Sequence, residues 1–223
     1  MTTDPRNLAM IHTVAGLIDP FKSLARQHLP GWSAVNMLDE SLLGDTIRDG
    51  RLTTQTTRRL AAMVCSAVDG GAQAVVVTCS SLGPAVEAAR PLCPVPLFRI
   101  DEGMAQEAVR LGGRIGVLAT LATTLDPTSA LIARTAANQG RPLTQIRRLA
   151  EGAFARLGAG DTDGHDRLVA QELIALASEA EVIVLAQASM ARALTSVQDH
   201  LGSLPVLTSP ALGMAHIAKA LAQ

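Results

Sequence analysis

The segment Ala74-Val75-Val76-Val77-Thr78-Cys79-Ser80-Ser81-Leu82-Gly83-Pro84 decides the fold. Val75 to Val77 are β-branched and apolar, and Gly70-Gly71 precede them. The run is too short for a helix of its own and reads as a strand buried on both faces of a parallel sheet. It stops at four small side chains bearing hydroxyl or thiol groups, before Gly83-Pro84. In an open α/β sheet, ligands bind at the carboxyl ends of the strands, beside the N-termini of the helices that follow. Cys79 therefore falls where the N–H groups of Ser80, Ser81 and Leu82 are free, a setting that favours a thiolate or a bound carboxylate.

Outward from this segment, short apolar runs alternate with amphipathic stretches. Leu8-Ala9-Met10-Ile11 forms a first strand with His12 and Thr13 at its carboxyl end, and Leu17 to His28 follows as a helix closed by Leu29-Pro30-Gly31. Trp32 to Met37 is a second strand. Thr53 to Val68 is a longer helix that leads through Gly70-Gly71 into the Val75 strand. Val95 to Ile100 is a strand whose internal Pro96 demands an edge or strand-start position, and Asp101 caps the helix behind it. The second half repeats these events. Arg114 to Ala119 is a strand ending in Thr120, a helix runs from Pro127 to Asn138, and Leu143 to Leu149 is a further strand. Helices at Glu151 to Leu157 and Asp166 to Ala180 flank a glycine-rich loop. Val182 to Leu185 is a second buried strand ending in Ala186-Gln187-Ala188-Ser189, and Leu204 to Leu207 precedes a last helix that reaches Leu221.

Three landmarks recur at a nearly constant offset. Thr13 and Thr120 end equivalent strands 107 residues apart, Cys79 and Gln187 follow equivalent strands 108 apart, and Pro96 and Pro205 lie 109 apart. The expected architecture is therefore α/β, with two pseudo-symmetric lobes, each a parallel sheet flanked by helices, and a site in the cleft between them. Residues 1–100 form the first lobe, with the helix of 209–223 packing back on it, and residues 101–208 form the second.

Composition bounds the function. The 223 residues are 48% hydrophobic but only 2% aromatic, so a large core must be built from Val, Leu, Ile, Ala and Met. A net charge of −1 without a basic block argues against nucleic acid or an anionic membrane as partner. No charged-then-apolar leader pattern and no apolar stretch of membrane-spanning length is present. Cys65, Cys79 and Cys93 show no zinc or redox spacing, and a reduced, cytoplasmic setting is expected. The glycines match no dinucleotide or phosphate-loop fingerprint. The histidines show no metal-ligand spacing. Neither a metal nor a nucleotide cofactor is expected.

The ordered set Val75-Val76-Val77-Thr78-Cys79-Ser80-Ser81, Val95-Pro96-Leu97 with Ile100-Asp101-Glu102, Gly116-Val117-Leu118-Ala119-Thr120 and Ile183-Val184-Leu185-Ala186-Gln187-Ala188-Ser189-Met190 resembles the aspartate/glutamate/hydantoin racemase superfamily over essentially the whole chain. The resemblance implies a cofactor-free site, acid–base chemistry at a carbon next to a carboxylate, a small carboxylate or amino-acid-like substrate, and a homo-oligomer. Racemases of this group are similar in using two cysteines, one from each half. Here Cys79 matches the first, but Gln187 stands at the second, and an amide is neither a useful base nor an acid near neutral pH. Three readings follow. The chain is an isomerase with a second acid–base group other than residue 187, a one-base lyase resembling arylmalonate decarboxylase, or an inactive carboxylate-binding module.

Cys79 is the expected proton carrier or nucleophile, with its thiolate favoured by the helix start. His12, ending the first strand, is the candidate second acid–base group, weighed against a satisfied structural histidine. Ser80, Ser81, Ala188 and Ser189 are candidates for holding a carboxylate through N–H groups, with helix capping as the alternative. Thr120 and Thr123 offer hydroxyls and Gln187 an amide for substrate binding. Cys65 and Cys93 read as structural.

Overall fold

The computed structural model describes residues 6–222. The chain divides into two compact units, one running to Gly103 and resuming at Pro210, the other spanning Met104–Ser209. In the first unit, β1 (Arg6–His12), β2 (Trp32–Leu38), β3 (Ala74–Val77) and β4 (Leu97–Arg99) form a parallel sheet in the order β2-β1-β3-β4. In the second, β5 (Arg114–Ala119), β6 (Thr144–Leu149), β7 (Val182–Leu185) and β8 (Val206–Thr208) form a parallel sheet in the order β6-β5-β7-β8. The orders match strand for strand, as the constant sequence offset requires. A single contact shows the repeat at atomic level. The Pro96 carbonyl accepts from Val75 N–H at 2.9 Å, and the Pro205 carbonyl accepts from Ile183 N–H at 2.9 Å. Each proline lacks a donor but keeps its carbonyl, so it sits just ahead of an edge strand, β4 or β8.

The four apolar runs are the interior strands β1, β3, β5 and β7, and every residue of β3 and β7 is buried. Residues of β1 and β3 alternate between two core clusters, as strand geometry dictates. Leu8, Met10 and Val76 pack with Phe21, Met214 and Ile217, whereas Ala9, Ile11, Val75 and Val77 pack with Leu42, Leu60 and Val64. The last helix, Ser209–Leu221, thus contributes to the first unit's core. Gly213 permits its approach, because a Cβ there would lie 2.0 Å from the Ile100 carbonyl oxygen.

Several boundaries differ from the sequence reading. A helix at Glu40–Arg48, whose extent the sequence reading did not give, follows β2, with Asp39 at the capping position the sequence allowed, accepting from Ser41 N–H at 3.0 Å. The helix expected to open at Pro127 begins at Ala122 and carries the proline inside. The helix expected from Asp166 begins at Thr162, because the Asp161 carboxylate caps it by accepting from Gly164 N–H at 2.9 Å.

Behind the Cys79 segment lies a buried ion pair. Arg99, at the end of β4, is 2% exposed and donates from Nε and Nη2 to the two carboxylate oxygens of Asp101 at 3.0 and 2.9 Å. Glu87 also accepts from Arg99. Asp101, read from sequence as a helix cap, has both carboxylate oxygens engaged by the guanidinium. The guanidinium lies against Gly83, where a Cβ would come within 2.3 Å of it. Glycine at this position lets the chain after Cys79 turn close over Arg99.

Candidate active site

The first unit gathers its reactive groups at the carboxyl ends of β1 and β3. The chain leaves β3, remains extended at Cys79, and tightens into the turn Ser80–Leu82 before the short helix Gly83–Ala89. Ser80 and Ser81 are buried and Cys79 is half-buried. The Thr13 hydroxyl, the Ser81 hydroxyl and the N–H groups of Ser81 and Leu82 lie about the sulfur and favour its anion, while Leu82 N–H also donates to the Cys79 carbonyl at 3.1 Å. The N–H groups expected to favour a thiolate or a bound carboxylate are therefore shared between the thiol and the turn itself.

These donors favour a thiolate, but burial acts against it and outweighs them. Burial pushes the Cys79 thiol above the ordinary cysteine range, and the Thr13, Ser81 and Leu82 hydrogen bonds offset only part of that rise. The sequence reading anticipated the opposite direction from the helix start alone. The desolvation that reverses it belongs to the packed fold. At neutral pH the resting group is a thiol, and the anion it leaves after giving up a proton has donors already in place.

His12 ends β1 as expected, yet its side chain turns into the unit. It is fully buried, with Nε2 3.0 Å from Asn36 Oδ1 and Nδ1 2.9 Å from Thr78 Oγ1, and its ring packs against Phe21 at 5.8 Å. The Thr78 hydroxyl carries one proton and also reaches the Ile11 carbonyl at 3.1 Å, so that carbonyl and Nδ1 of the ring share it. Both nitrogens are engaged by neighbours within the unit, which favours the structural reading of this histidine. It ties the ends of β1, β2 and β3 together. Burial lowers its pKa below the usual 6.5. The unfolded chain thus binds the proton more readily, and the associated stability is full above 6.5 and lost as pH falls from there through the lowered value. We expect the urea midpoint to drop between pH 7 and pH 5, and His12→Gln to flatten that slope. His216, also lowered by burial, supplies the remainder. Equal slopes for both proteins would remove His12 from this account.

The second unit repeats the arrangement with different chemistry. Thr120, directly after β5, is buried, and Gln187, two residues beyond the end of β7, is half-buried. Gln187 Oε1 accepts from Thr120 N–H at 2.6 Å and from the Thr120 hydroxyl at 2.9 Å. Ala188 and Ser189 open the 3-10 segment Ala188–Ser196, half-buried. Thr123 lies in the first turn of the helix Ala122–Asn138, and its hydroxyl is buried without a hydrogen-bond partner among the described residues. Thr13, Asn36 and Thr78 were not singled out as site residues from sequence, whereas the Leu82 N–H was. Thr13 was discoverable, because the 107-residue offset pairs it with Thr120. Asn36 and Thr78 carry no sequence signal that marks them as partners of His12.

Among the described residues no cluster of three metal-ligating side chains occurs, and no helix is long and apolar enough to cross a membrane.

The family model for Asp/Glu/hydantoin racemases matches residues 12–217. A sequence search of curated proteins finds no significant match. Solved structures with the same fold include a glutamate racemase from Bacillus anthracis (TM-score 0.78, 16% identity, covering 99% of this chain and 83% of that one). An allantoin racemase from Klebsiella pneumoniae is similar at TM-score 0.69 and 17% identity, covering 97% of this chain and 87% of that one. An aspartate racemase homologue from Pyrococcus horikoshii is similar at TM-score 0.65 and 12% identity, covering 98% and 100%. At such identities the structural likeness speaks for the fold, while the family match rests on the sequence of nearly the whole chain. On that match, the chain belongs to the Asp/Glu/hydantoin racemase family.

Proposed function

We propose that this protein is a cofactor-independent enzyme of the isomerase kind that moves a proton at the carbon next to a carboxylate or carboxamide, with Cys79 as the proton carrier. The observation that supports this reading most is the setting of the Cys79 sulfur, a half-buried thiol met by donors from Thr13, Ser81 and Leu82. In the protonating direction, Cys79 S–H gives its proton to the α-carbon of an enediolate, and the electron pair left on sulfur is held by those donors. In the reverse direction the thiolate takes the α-proton and the enediolate forms. The names of the structural relatives supply the first substrates to try: glutamate, aspartate and allantoin.

A second reading is favoured by the raised thiol and by the amide at Gln187. With a thiol protonated at rest and no acid–base group at position 187, a lyase fits, in which loss of carbon dioxide generates the enediolate and Cys79 supplies the proton. Incubation in deuterated water separates the readings. The protein is mixed with each enantiomer of glutamate, aspartate and allantoin, and with 2-substituted malonates, and the α-position is followed by NMR. An isomerase should exchange the α-proton of both enantiomers, because a second proton carrier must serve the face that Cys79 does not touch, whereas exchange of one enantiomer alone, with retention, would leave Cys79 acting by itself. A lyase should release carbon dioxide and leave one deuteron on a single face. Binding of these acids without exchange or decarboxylation would sink the enzyme reading and leave a carboxylate-binding protein.

A further inference from the structure

The Thr120–Gln187 contact carries an inference about what the second unit recognises. A backbone N–H is only a donor, so the short 2.6 Å contact from Thr120 must meet the amide oxygen of Gln187. The Thr120 hydroxyl at 2.9 Å reinforces that orientation. Oxygen and nitrogen of the amide are therefore not interchangeable here, and Nε2 is the end turned away from Thr120. Among the described residues no group pairs with it, although Gln187 is half-buried and Thr120 is 5% exposed. The Thr123 hydroxyl, on the helix that follows Thr120, is a second buried group with no partner among the described residues. The first unit uses the equivalent threonine, Thr13, to donate to a thiol. The second uses Thr120 to lock an amide into one orientation.

We propose that the Gln187 amide is a specificity determinant that donates from Nε2 to an acceptor oxygen of a planar carboxylate or ring carboxamide group of the ligand. This deepens the proposed function and rests on it where the ligand is also the substrate. A site built to hydrogen-bond a ligand group rejects analogues without it strongly, because its own polar group is then left unpaired. Thr120 holds the donor in place before the ligand arrives, so no rotamer freedom is lost on binding.

The test uses nitrogen-15-labelled Cys79→Ser protein, in which binding is read without turnover. Glutarate serves as the carboxylate probe and hydantoin as the neutral ring carboxamide. The side-chain NH2 resonances of Gln187, assigned by their absence from Gln187→Leu, should shift saturably with at least one probe. Gln187→Leu should weaken that probe about tenfold, the scale of one hydrogen bond to a partly buried group. Gln187→Glu separates the two sources. Thr120 still donates to one carboxylate oxygen, and the other becomes an acceptor that repels glutarate but accepts the ring N–H of hydantoin. Thr120→Val, which frees the amide to rotate, should weaken the same probe by a smaller factor. Saturable binding that leaves the Gln187 resonances unmoved, unchanged affinity in Gln187→Leu, or no binding of either probe would overturn the proposal. None of these results bears on Cys79, whose role is read from deuterium exchange in the unsubstituted protein.

Discussion

Replacing Cys79 with serine is expected to lower turnover by about 10²–10⁴-fold, the usual share of a positioned proton carrier. The substitution keeps the size of the side chain and leaves the Thr13, Ser81 and Leu82 donors with an oxygen to meet. It removes the acidity, because a serine hydroxyl gives and takes protons far less readily than a thiol near neutral pH. The fold should therefore be retained, with a denaturation midpoint close to that of the unsubstituted protein, so the loss falls on kcat and not on the amount of folded enzyme. Thr13→Val should act in the same direction and more weakly. It leaves the thiol in place but removes one of the hydrogen bonds that offset burial, so the rise of rate with pH should move further up. Near-normal turnover by Cys79→Ser on the substrate found by exchange would refute the assignment of Cys79.

The second large effect is on stability. Removing the Asp101 carboxylate in Asp101→Ala is expected to cost about 3–5 kcal/mol, because the substitution leaves a buried guanidinium without its bidentate partner. Arg99 is 2% exposed and Asp101 is fully buried, so water cannot replace the lost carboxylate without opening the unit. Glu87 still accepts from Arg99 and holds the cost toward the lower end of that range. Replacing both members, Arg99→Met with Asp101→Leu, should cost less than Asp101→Ala alone, since no charge is then left unpaired. Denaturant midpoints for the unsubstituted protein, Arg99→Met, Asp101→Leu and the double variant give the coupling directly. A loss below about 1 kcal/mol in Asp101→Ala would place the pair in the class of exposed ion pairs and defeat the argument. Because Gly83 packs on the same guanidinium, Asp101→Ala should also disturb the turn that carries Ser81 and Leu82 to the Cys79 sulfur.

Much of the architecture was legible in particular residues. Val75 to Val77 and Val182 to Leu185 announced buried interior strands because both faces are apolar, and Pro96 and Pro205 announced edge strands because proline has no N–H for a ladder. The constant offsets announced two sheets of one topology. What went unread was mostly capping chemistry. Asp161 starts a helix through a side-chain bond to the N–H three residues on, and such a residue reads equally well as loop. Pro127 misled because proline favours a first-turn position, whereas the helix opens earlier and accommodates it inside.

The sequence by itself determined the repetition of strands between two halves, the position of Cys79 after a buried strand, its replacement by glutamine in the second half, and the family. Each of these is written in neighbouring residues or in a fixed period. Only the tertiary structure decided what the site residues do. His12 meets Thr78 across 66 positions of chain, and Thr120 meets Gln187 across 67. Those contacts hold the His12 ring among the ends of three strands and fix the orientation of the Gln187 amide. The direction of the Cys79 shift is likewise a sum of burial and of donors brought in from Thr13, Ser81 and Leu82. Periodicity survives in a linear string because it depends on side-chain polarity alone. Acidity and hydrogen-bond direction depend on distance and exclusion of water, which exist only once segments far apart in the chain are packed together.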